Sequence, residues 1–443
     1  MLSYSEAIEY LESFINYEKL AAPYDPRKWK LKRVERLLDL VGNPHVGGKF
    51  IHIAGTKGKG STAAMAASIL SEAGFKVGLY TSPHLISFRE RIRINGEMIS
   101  EDQVCDLVTR LKPGIDELRK QSDELGHISF FDVYTALGLL FFAEQKADFS
   151  VLEVGMGGRL DATNVVTPLV SVITQISYDH MISLGNTIEE IATEKAGIIK
   201  DNGYVVTSPQ VPEAMEVIRN TSAEKNARLF EVGRDIRFQK TENSRISVSG
   251  IFDKYENLQI PLIGDHQLIN AATAVGALEV LRFHGFTVSV DDVRTGLQKT
   301  KWPARVEVVR QNPTIILDAA HNAASGKALR DAIESNFSYE KLIIVIAIAQ
   351  HKDLKGMGRY LCPISDEMIL TKVDNPRAME PEEMKAELAG ICDNVIITQN
   401  TASALEKAQS LAGPRDLICI TGSVYLAGEI MQILGEMPDG NKT

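Results

Sequence analysis

Long apolar runs are scarce in this sequence of 443 residues. The two longest, "ALGLLFFA" (136–143) and "LIIVIAIA" (342–349), fall far short of the ~20 residues that span a bilayer. No membrane segment is expected. Basic charge is also in deficit, with 48 Lys and Arg against 58 Asp and Glu and a formal net charge of −10. That balance argues against a general nucleic-acid binder, yet leaves room for a small anionic substrate in a local positive pocket. Cysteine is sparse. Cys105, Cys362, Cys392 and Cys419 are scattered without a C-x-x-C pair, which excludes a disulfide framework and suits free thiols in a reducing cytoplasm. The opening "MLSYSEAIEYLESF" has no basic start followed by an apolar run, so a secretory leader is not expected. Internal repeats and low-complexity tracts are absent too. A soluble, cytoplasmic chain of two or three ordinary domains is the expectation.

What is present is an alternation of short β-rich runs with helical patterns. Ile8, Leu11 and Ile15 recur at helical spacing near the start. From Phe50, "FIHIA", "KVGLY", "FSVLEVG", "PLVSVIT" and "GYVVTS" read as strands. Between them lie "STAAMAASILSEAGF", "FDVYTALGLLFFAEQ" and "TIEEIATEKAGIIK", which read as helices. Such alternation predicts a doubly wound, mostly parallel sheet. Between about Leu229 and Leu262, "RDIRFQK", "RISVSG" and "NLQIPL" predict a small antiparallel addition. A helix follows, with Asp265 as its N-cap and Gly285 as its stop. After "KTKWPAR" a second α/β series begins, with "TIILDA", "KLIIVIAIA", "EMILTK", "NVIITQ" and "DLICITG" as strands. The expected division is residues 1–300 and a second Rossmann-like domain over residues 301–443.

Ligands of open parallel sheets bind at the carboxyl ends of the strands. The stretch Gly55-Thr56-Lys57-Gly58-Lys59-Gly60-Ser61 follows the first strand and opens a helix, as a phosphate-binding loop does. The usual loop, G-x-x-x-x-G-K-[ST], places a Mg²⁺-binding hydroxyl directly after the lysine. Here Gly60 stands there instead, so that oxygen must come from another strand end. Candidates are Ser82 with His84 in "TSPHL", Glu153 in "VLEVG" and His180 in "SYDHM". Each also has an ordinary reading: Ser82 as a turn residue before Pro83, His180 as a loop histidine, Glu153 as a buried and hydrogen-bonded acid. Glu153 is the sharpest of them, because a carboxylate in an apolar strand needs a positive partner. Arg89, Arg91 and Arg93 in "FRERIRING" would share one face of an extended strand and could attract carboxylates, or could form a solvated edge. Lys195 reads as a surface lysine on a helix.

The ordered set "GTKGKGS", "TSPHL", "ERIRING", "LEVGMGGRLDATN", Asp179-His180, "EKAGI", "GDHQLINA", "WPAR", "DAAHN" and "TGSVYLAGE" resembles the folylpolyglutamate synthase/dihydrofolate synthase family of the Mur ligase superfamily, across about residues 4–430. The resemblance implies an ATP-dependent amide ligase. A carboxylate of the pterin substrate takes the γ-phosphate to give an acyl phosphate, and the amino group of L-glutamate then displaces phosphate. It implies ATP contacts at Gly55, Thr56, Gly58, Lys59, Gly60, Ser61, Asn270, Arg305 and Asp318. Two Mg²⁺ ions are implied, with Ser82, Glu153, His180 and a carbamylated Lys195 as ligands. Ser129, Phe130, Phe131, Asp132, Leu160, Asp161 and Ala162 match the pocket for dihydropteroate or folates, and His321 and Ser423 the glutamate side. Lys59, Lys195 and His321 carry the catalytic expectation. The active site is expected between the two domains of a monomer.

The match has departures. The family usually reads D-G-A-H-N-P where this chain has Asp318-Ala319-Ala320-His321-Asn322-Ala323, and W-P-G-R where it has Trp302-Pro303-Ala304-Arg305. Glu is common where Asp132 stands. Two other classes are weighed against the folate ligase. A Mur-type ligase acting on another acid would not need "FFD" and "TSPHL", which belong to the folate branch. A P-loop switch or motor would carry a hydroxyl after Lys59 and would not need a second α/β domain.

Overall fold

The computed structural model describes residues 2–16, 31–120, 126–179, 181–241 and 245–435. Two compact units emerge. One comprises Met1–Ser82, Arg89–Ile260 and Leu268–Thr300, the other Pro83–Phe88, Pro261–Gln267 and Lys301–Thr443. The short excursions at 83–88 and 261–267 have no signature in the sequence.

The first unit is built on strands β1 (Phe50–Ala54), β2 (Val77–Tyr80), β3 (Ile92–Ile94), β4 (Glu97–Met98), β5 (Phe149–Glu153), β6 (Val170–Ile173), β7 (Tyr204–Thr207) and β8 (Arg228–Glu231). Their order across the sheet is β4-β3-β2-β5-β1-β6-β7-β8. All pairs from β2 to β8 are parallel, and β3 and β4 add an antiparallel edge. Every residue of β1 and β5 is buried, as strands covered on both faces must be. From β1 the chain crosses over β5 to β2, while β5 leads back across β1 to β6. A topological switch therefore lies at the carboxyl ends of β1 and β5, where ligand crevices form.

Small residues decide how closely the first crossover helix, Lys59–Glu72, can be approached. It packs against helix Val290–Lys299, where a Cβ on Gly296 would lie 2.4 Å from Ile69 Cα. Ser68 Oγ donates to Gly296 O at 2.7 Å across that seam. The apolar helix Phe130–Glu144 has no polar stripe because nearly all of it is buried. A three-stranded antiparallel sheet, β9 (Arg237–Lys240), β10 (Arg245–Ser249) and β11 (Lys254–Gln259), forms the expected addition, ordered β11-β10-β9. The helix Asp265–Val280 runs on as a 3₁₀ turn to His284, and Gly285 ends it with φ +82°.

The second unit holds β12 (Glu307–Arg310), β13 (Thr314–Leu317), β14 (Leu342–Ile346), β15 (Glu367–Leu370), β16 (Val395–Ile397) and β17 (Leu417–Thr421). Their order is β12-β13-β17-β14-β15-β16, parallel except for β12 at the edge. Apolar side chains alternate between two cores, one on each face: Ile316, Ile344 and Leu370 enter one, and Ile315, Ile343 and Ile369 the other. All four cysteines are free thiols.

Candidate active site

The loop after β1 is shaped by two glycines. Gly55 has φ +148°, and a Cβ there would lie 1.9 Å from Thr174 Oγ1. Gly58 has φ +86°, and its Cβ would meet Asn270 Oδ1 at 2.1 Å. Only glycine satisfies both the conformation and the space. Gly58 is also the N-cap of helix Lys59–Glu72 and supplies no side-chain cap. The amides of Lys59, Gly60 and Ser61 open that helix, where no intrahelical carbonyl can receive them. An anion suits that position. Thr56 and Lys57 play a different part: their amides donate to Gln175 O at 2.9 and 3.0 Å and fix the loop to the end of β6. Gly58→Ala should raise the KM for ATP about tenfold or more, since left-handed alanine alone costs roughly 1–2 kcal/mol. ADP release at varied ATP is the measurement, and an unchanged KM would remove the loop from the nucleotide site.

Charged groups converge on this loop. Lys59 Nζ lies 4.0 Å from Glu153 Oε1 at the end of β5, and both side chains are largely buried. The other carboxylate oxygen, Oε2, accepts the Ser82 amide at 3.2 Å. Ser82, Glu153 and Lys59 are thus brought together from three strand ends. Lys57 Nζ reaches Asp179 Oδ2 at 3.5 Å. His180, next in sequence, lies outside the described residues. Lys195 departs from its expected surface position. It is 4% exposed, and its Nζ donates to Gly55 O at 2.9 Å. Burial, with the cations Lys59 and Lys57 nearby, pushes its pKa down to about 7, partly opposed by Asp179. An amine near neutrality inside a lysine-rich crevice is chemically poised.

The expected pterin pocket is divided by the fold. Ser129 caps helix Phe130–Glu144 and forms a reciprocal pair with Asp132, whose Oδ2 accepts the Ser129 amide at 2.8 Å. Arg33 Nε stands 3.1 Å from the same oxygen. Phe130 is buried and stacks on Tyr134 at 5.7 Å. Phe131 alone of these four remains partly accessible, with its ring edge 3.1 Å from where a Gly155 Cβ would be. Asp161 is buried, and its oxygens accept the Met156 amide at 3.0 Å and the Thr163 amide at 3.0 Å. Burial raises its pKa. It shapes the loop that carries Leu160 and Ala162, both at least half-buried.

The three arginines of "FRERIRING" do not form one extended face. Phe88–Arg91 is a 3₁₀ turn and only Ile92–Ile94 is strand. Arg89 Nε donates to Ile99 O at 2.6 Å, and Arg93 Nε to Glu90 O at 3.1 Å. Arg91 is buried with its guanidinium 5.4 Å from the centroids of both Phe130 and Tyr134. Its charge lies against the Phe130–Tyr134 aromatic pair.

In the second unit the candidates also gather at strand ends. Asp318 follows β13, and Ser423 follows β17, the neighbouring strand. Asp318 accepts the amides of Val306 (3.1 Å) and Ala320 (2.8 Å) through different oxygens. His321 is half-buried, with Nδ1 2.8 Å from Ala319 O. Ser423 caps helix Val424–Leu434 by accepting the Leu426 amide at 3.1 Å. Arg305 Nη1 donates to the carbonyl of its own neighbour, Ala304 O, at 2.8 Å.

Known proteins share this fold. The sequence matches the Mur ligase middle domain over residues 125–278 and the Mur ligase glutamate ligase domain over residues 304–424. It is 37% identical to the dihydrofolate synthase/folylpolyglutamate synthase of Bacillus subtilis over 411 residues, covering 91% of this chain and 94% of that protein. The chain belongs to the folylpolyglutamate synthase/dihydrofolate synthase family. The folylpolyglutamate synthase of Lacticaseibacillus casei is 34% identical, with 98% of this chain and 99% of that protein covered. A solved structure of Mycobacterium tuberculosis folylpolyglutamate synthase complexed with ADP matches with a TM-score of 0.90 and 34% identity, over 98% of this chain and 99% of that one. As a member of this family the chain is an ATP-dependent ligase, a class of enzyme that typically works with Mg²⁺ on the phosphates. No helix among the described residues is long and apolar enough to cross a membrane.

The residues of this ligase fit both groups. The uncapped helix start and the glycine-only loop fit a polyphosphate. Among the described residues no cluster of three or more His, Cys, Asp or Glu could hold a metal alone. Mg²⁺ asks for less: one or two carboxylates, with phosphate oxygens and waters completing the shell. Glu153 beside Ser82 is that kind of hard oxygen donor set.

One buried relay was not among the expectations from the sequence. His52, in the middle of β1, is fully buried with Nε2 2.8 Å from Thr163 Oγ1. Thr163 Oγ1 donates to Asp161 Oδ1 at 2.5 Å, so His52 must supply its Nε2 proton to that hydroxyl. Burial depresses the pKa of His52 to about 3, which keeps the ring neutral. The relay ties the strand under the phosphate loop to the loop of Asp161. A histidine inside an apolar strand, three residues before Gly55, was the available hint.

Proposed function

We propose that this ligase joins the amino group of L-glutamate to a carboxylate of a pterin acid, either dihydropteroate or a (tetrahydro)folate polyglutamate. Lys59, Glu153 and Ser82 converging beside the helix start, with Lys195 buried next to them, is the observation that carries the assignment of roles. The substrate carboxylate oxygen attacks the γ-phosphorus and ADP departs, leaving an acyl phosphate. The neutral amine of glutamate then attacks the acyl carbon, and phosphate leaves with the electron pair of the broken C–O bond. The amine proton passes to solvent or to a nearby base.

In this reading the amides of Lys59, Gly60 and Ser61 cradle the triphosphate, and Lys59 neutralises charge as the phosphoryl group moves. Gly55 and Thr56 set the loop and Asn270 braces it. Arg305 and Asp318, from the second unit, serve the nucleotide. Ser82, Glu153 and His180 would hold Mg²⁺, with Lys195 as a carbamate serving a second ion. The metal would supply charge neutralisation at the phosphates. Phe131 offers a flat face to the pterin ring. Ser129, Phe130, Asp132 and Asp161 set the wall behind it, with Leu160 and Ala162. His321 and Ser423 serve the glutamate side. Residues 1–300 supply nucleotide and pterin binding, and residues 301–443 complete the glutamate site. A monomer in the cytoplasm accords with a site drawn from one chain and with four free thiols.

Acceptor-dependent ADP release tests the reading. With ATP and Mg²⁺, release should require glutamate together with dihydropteroate or a reduced folate, and the product should contain one new amide. Turnover with a single acceptor makes the enzyme monofunctional. Release indifferent to both acceptors refutes the reading. Ser82→Ala should raise the Mg²⁺ concentration for half-maximal turnover about tenfold with the urea midpoint unmoved. An unchanged Mg²⁺ dependence removes Ser82 from the metal site.

A further inference from the structure

Arg305 stands between two residues in a backbone conformation that L side chains rarely adopt. Ala304 has φ +55° and Val306 φ +50°. For a β-branched residue such a conformation is a genuine outlier, and it persists only where the surroundings over-determine it. Both residues are almost fully buried, so their amides need acceptors. The structure provides one carboxylate for each. Asp318 Oδ2 accepts the Val306 amide at 3.1 Å. Glu307 Oε2 accepts the Ala304 amide at 2.8 Å. Asp318 already has a place in the nucleotide reading, whereas Glu307 has none.

Glu307 is well placed for this work. It begins β12 and pairs with Leu317, the residue before Asp318, which fixes its Cα to the strand end. From there its side chain reaches back three residues to the Ala304 amide. The carbonyl of the same residue, Ala304, receives Arg305 Nη1 at 2.8 Å. The orientation of residue 304 therefore sets where the Arg305 guanidinium points. Glycine at 304 would adopt φ +55° without steric cost, but alanine needs an external hold.

We propose that Glu307 is a positioning residue: its carboxylate clamps Ala304 in the left-handed turn and thereby aims Arg305 at the nucleotide. This rests on the reading of Arg305 as a nucleotide contact. It carries a specific consequence, that Glu307 matters because residue 304 is alanine.

Steady-state kinetics of the full chain at varied ATP test it. Glu307→Ala should raise the KM for ATP about tenfold, and Glu307→Gln, which keeps an acceptor oxygen, should rise far less. Ala304→Gly placed in the Glu307→Ala background should restore most of the loss. A role in stability alone would lower the melting temperature without this KM effect or its rescue. The proposal is overturned if folded Glu307→Ala keeps the KM of the parent, or if glycine at 304 fails to restore it. Should Glu307→Ala not fold, the double variant is compared with Ala304→Gly alone. Equal KM values support the clamp, and a difference above about fivefold refutes it. Arg305→Ala separates the two readings. If it leaves the KM for ATP unchanged, the nucleotide assignment fails; if it raises the KM while Glu307→Ala does not, only the clamp fails.

Discussion

Replacing Lys59 with methionine should lower kcat about 10²–10³-fold, the loss expected when one preorganised donor to developing charge is removed. Lys59 is the first residue of the helix that opens behind Gly58, and its side chain is only 17% exposed. A cation held there, beside a carboxylate 4.0 Å away, is already oriented before ATP arrives and needs no reorganisation during transfer. Methionine keeps an unbranched side chain of similar volume and removes the ammonium with its charge and donors. The fold should therefore survive, with a cooperative urea transition retained. Single-turnover formation of ADP with saturating pterin acid reads the chemical step directly. A kcat within a factor of about five of the parent would deny Lys59 a transition-state role. The substitution also removes one of the charges that depress the Lys195 pKa, so that amine should titrate at higher pH in the variant.

Lys195→Ala should lower kcat about 10²-fold, and millimolar formate or bicarbonate should restore part of it. The argument is chemical. An ammonium cannot add to carbon dioxide, but burial brings this amine to a pKa of about 7 and leaves it largely neutral just above that pH. In the proposed carbamylation the neutral Nζ would attack the carbon of CO₂, an N–C bond forming as one C=O π bond opens onto oxygen and nitrogen releases a further proton to solvent. An anion fit for a metal would then stand where the ammonium was. In Lys195→Ala a small carboxylate can enter the vacated space and stand in for it. Labelled ¹³CO₂ should give a carbamate carbon signal in the parent and none in the variant. A variant that keeps more than about a tenth of the parent kcat would refute the assignment.

Stability supplies an independent check on the unmodified, metal-free chain. The unfolded chain holds this proton up to pH 10.5, whereas the folded one releases it near 7. Between those values the unfolded state binds more protons, so Lys195 makes stability rise with pH across that window. Its contribution is complete above pH 10.5 and is lost as pH falls through about 7. Urea midpoints should show that slope in the parent and a shallower one in Lys195→Ala.

Much of the fold was legible because its signals are local. Alternating strands and helices, the Gly285 stop and the antiparallel insert each depend on residues a turn or a strand apart. The edge strands β8 and β12 were not among the expected elements. Both lie at a sheet edge with exposed, polar positions that weaken the hydrophobic pattern. The folate-branch motifs likewise gave the family, since a motif is a local string. Side-chain surroundings were less readable. The two-residue spacing of Arg89, Arg91 and Arg93 suggested a shared face, but a 3₁₀ turn broke the extended geometry on which that inference depended. "SFFD" looked like four pocket residues, yet three of them are buried in a helix cap, an aromatic stack and an ion pair with Arg33.

By itself the sequence determined the parallel α/β architecture, the glycine loop with no hydroxyl after Lys59, and membership of a ligase family. Those rest on propensity, periodicity and ordered motifs, which act over a few residues. Only the tertiary structure decided that Lys195 is buried against Gly55, 140 residues away, and that Ser82 meets Glu153 across 71 residues. It alone tied His52 to Thr163 across 111 residues and set Glu307 against the Ala304 amide. The reason is physical. Burial, charge and proton affinity depend on what surrounds a side chain, and those neighbours are supplied by strands and helices brought together by folding.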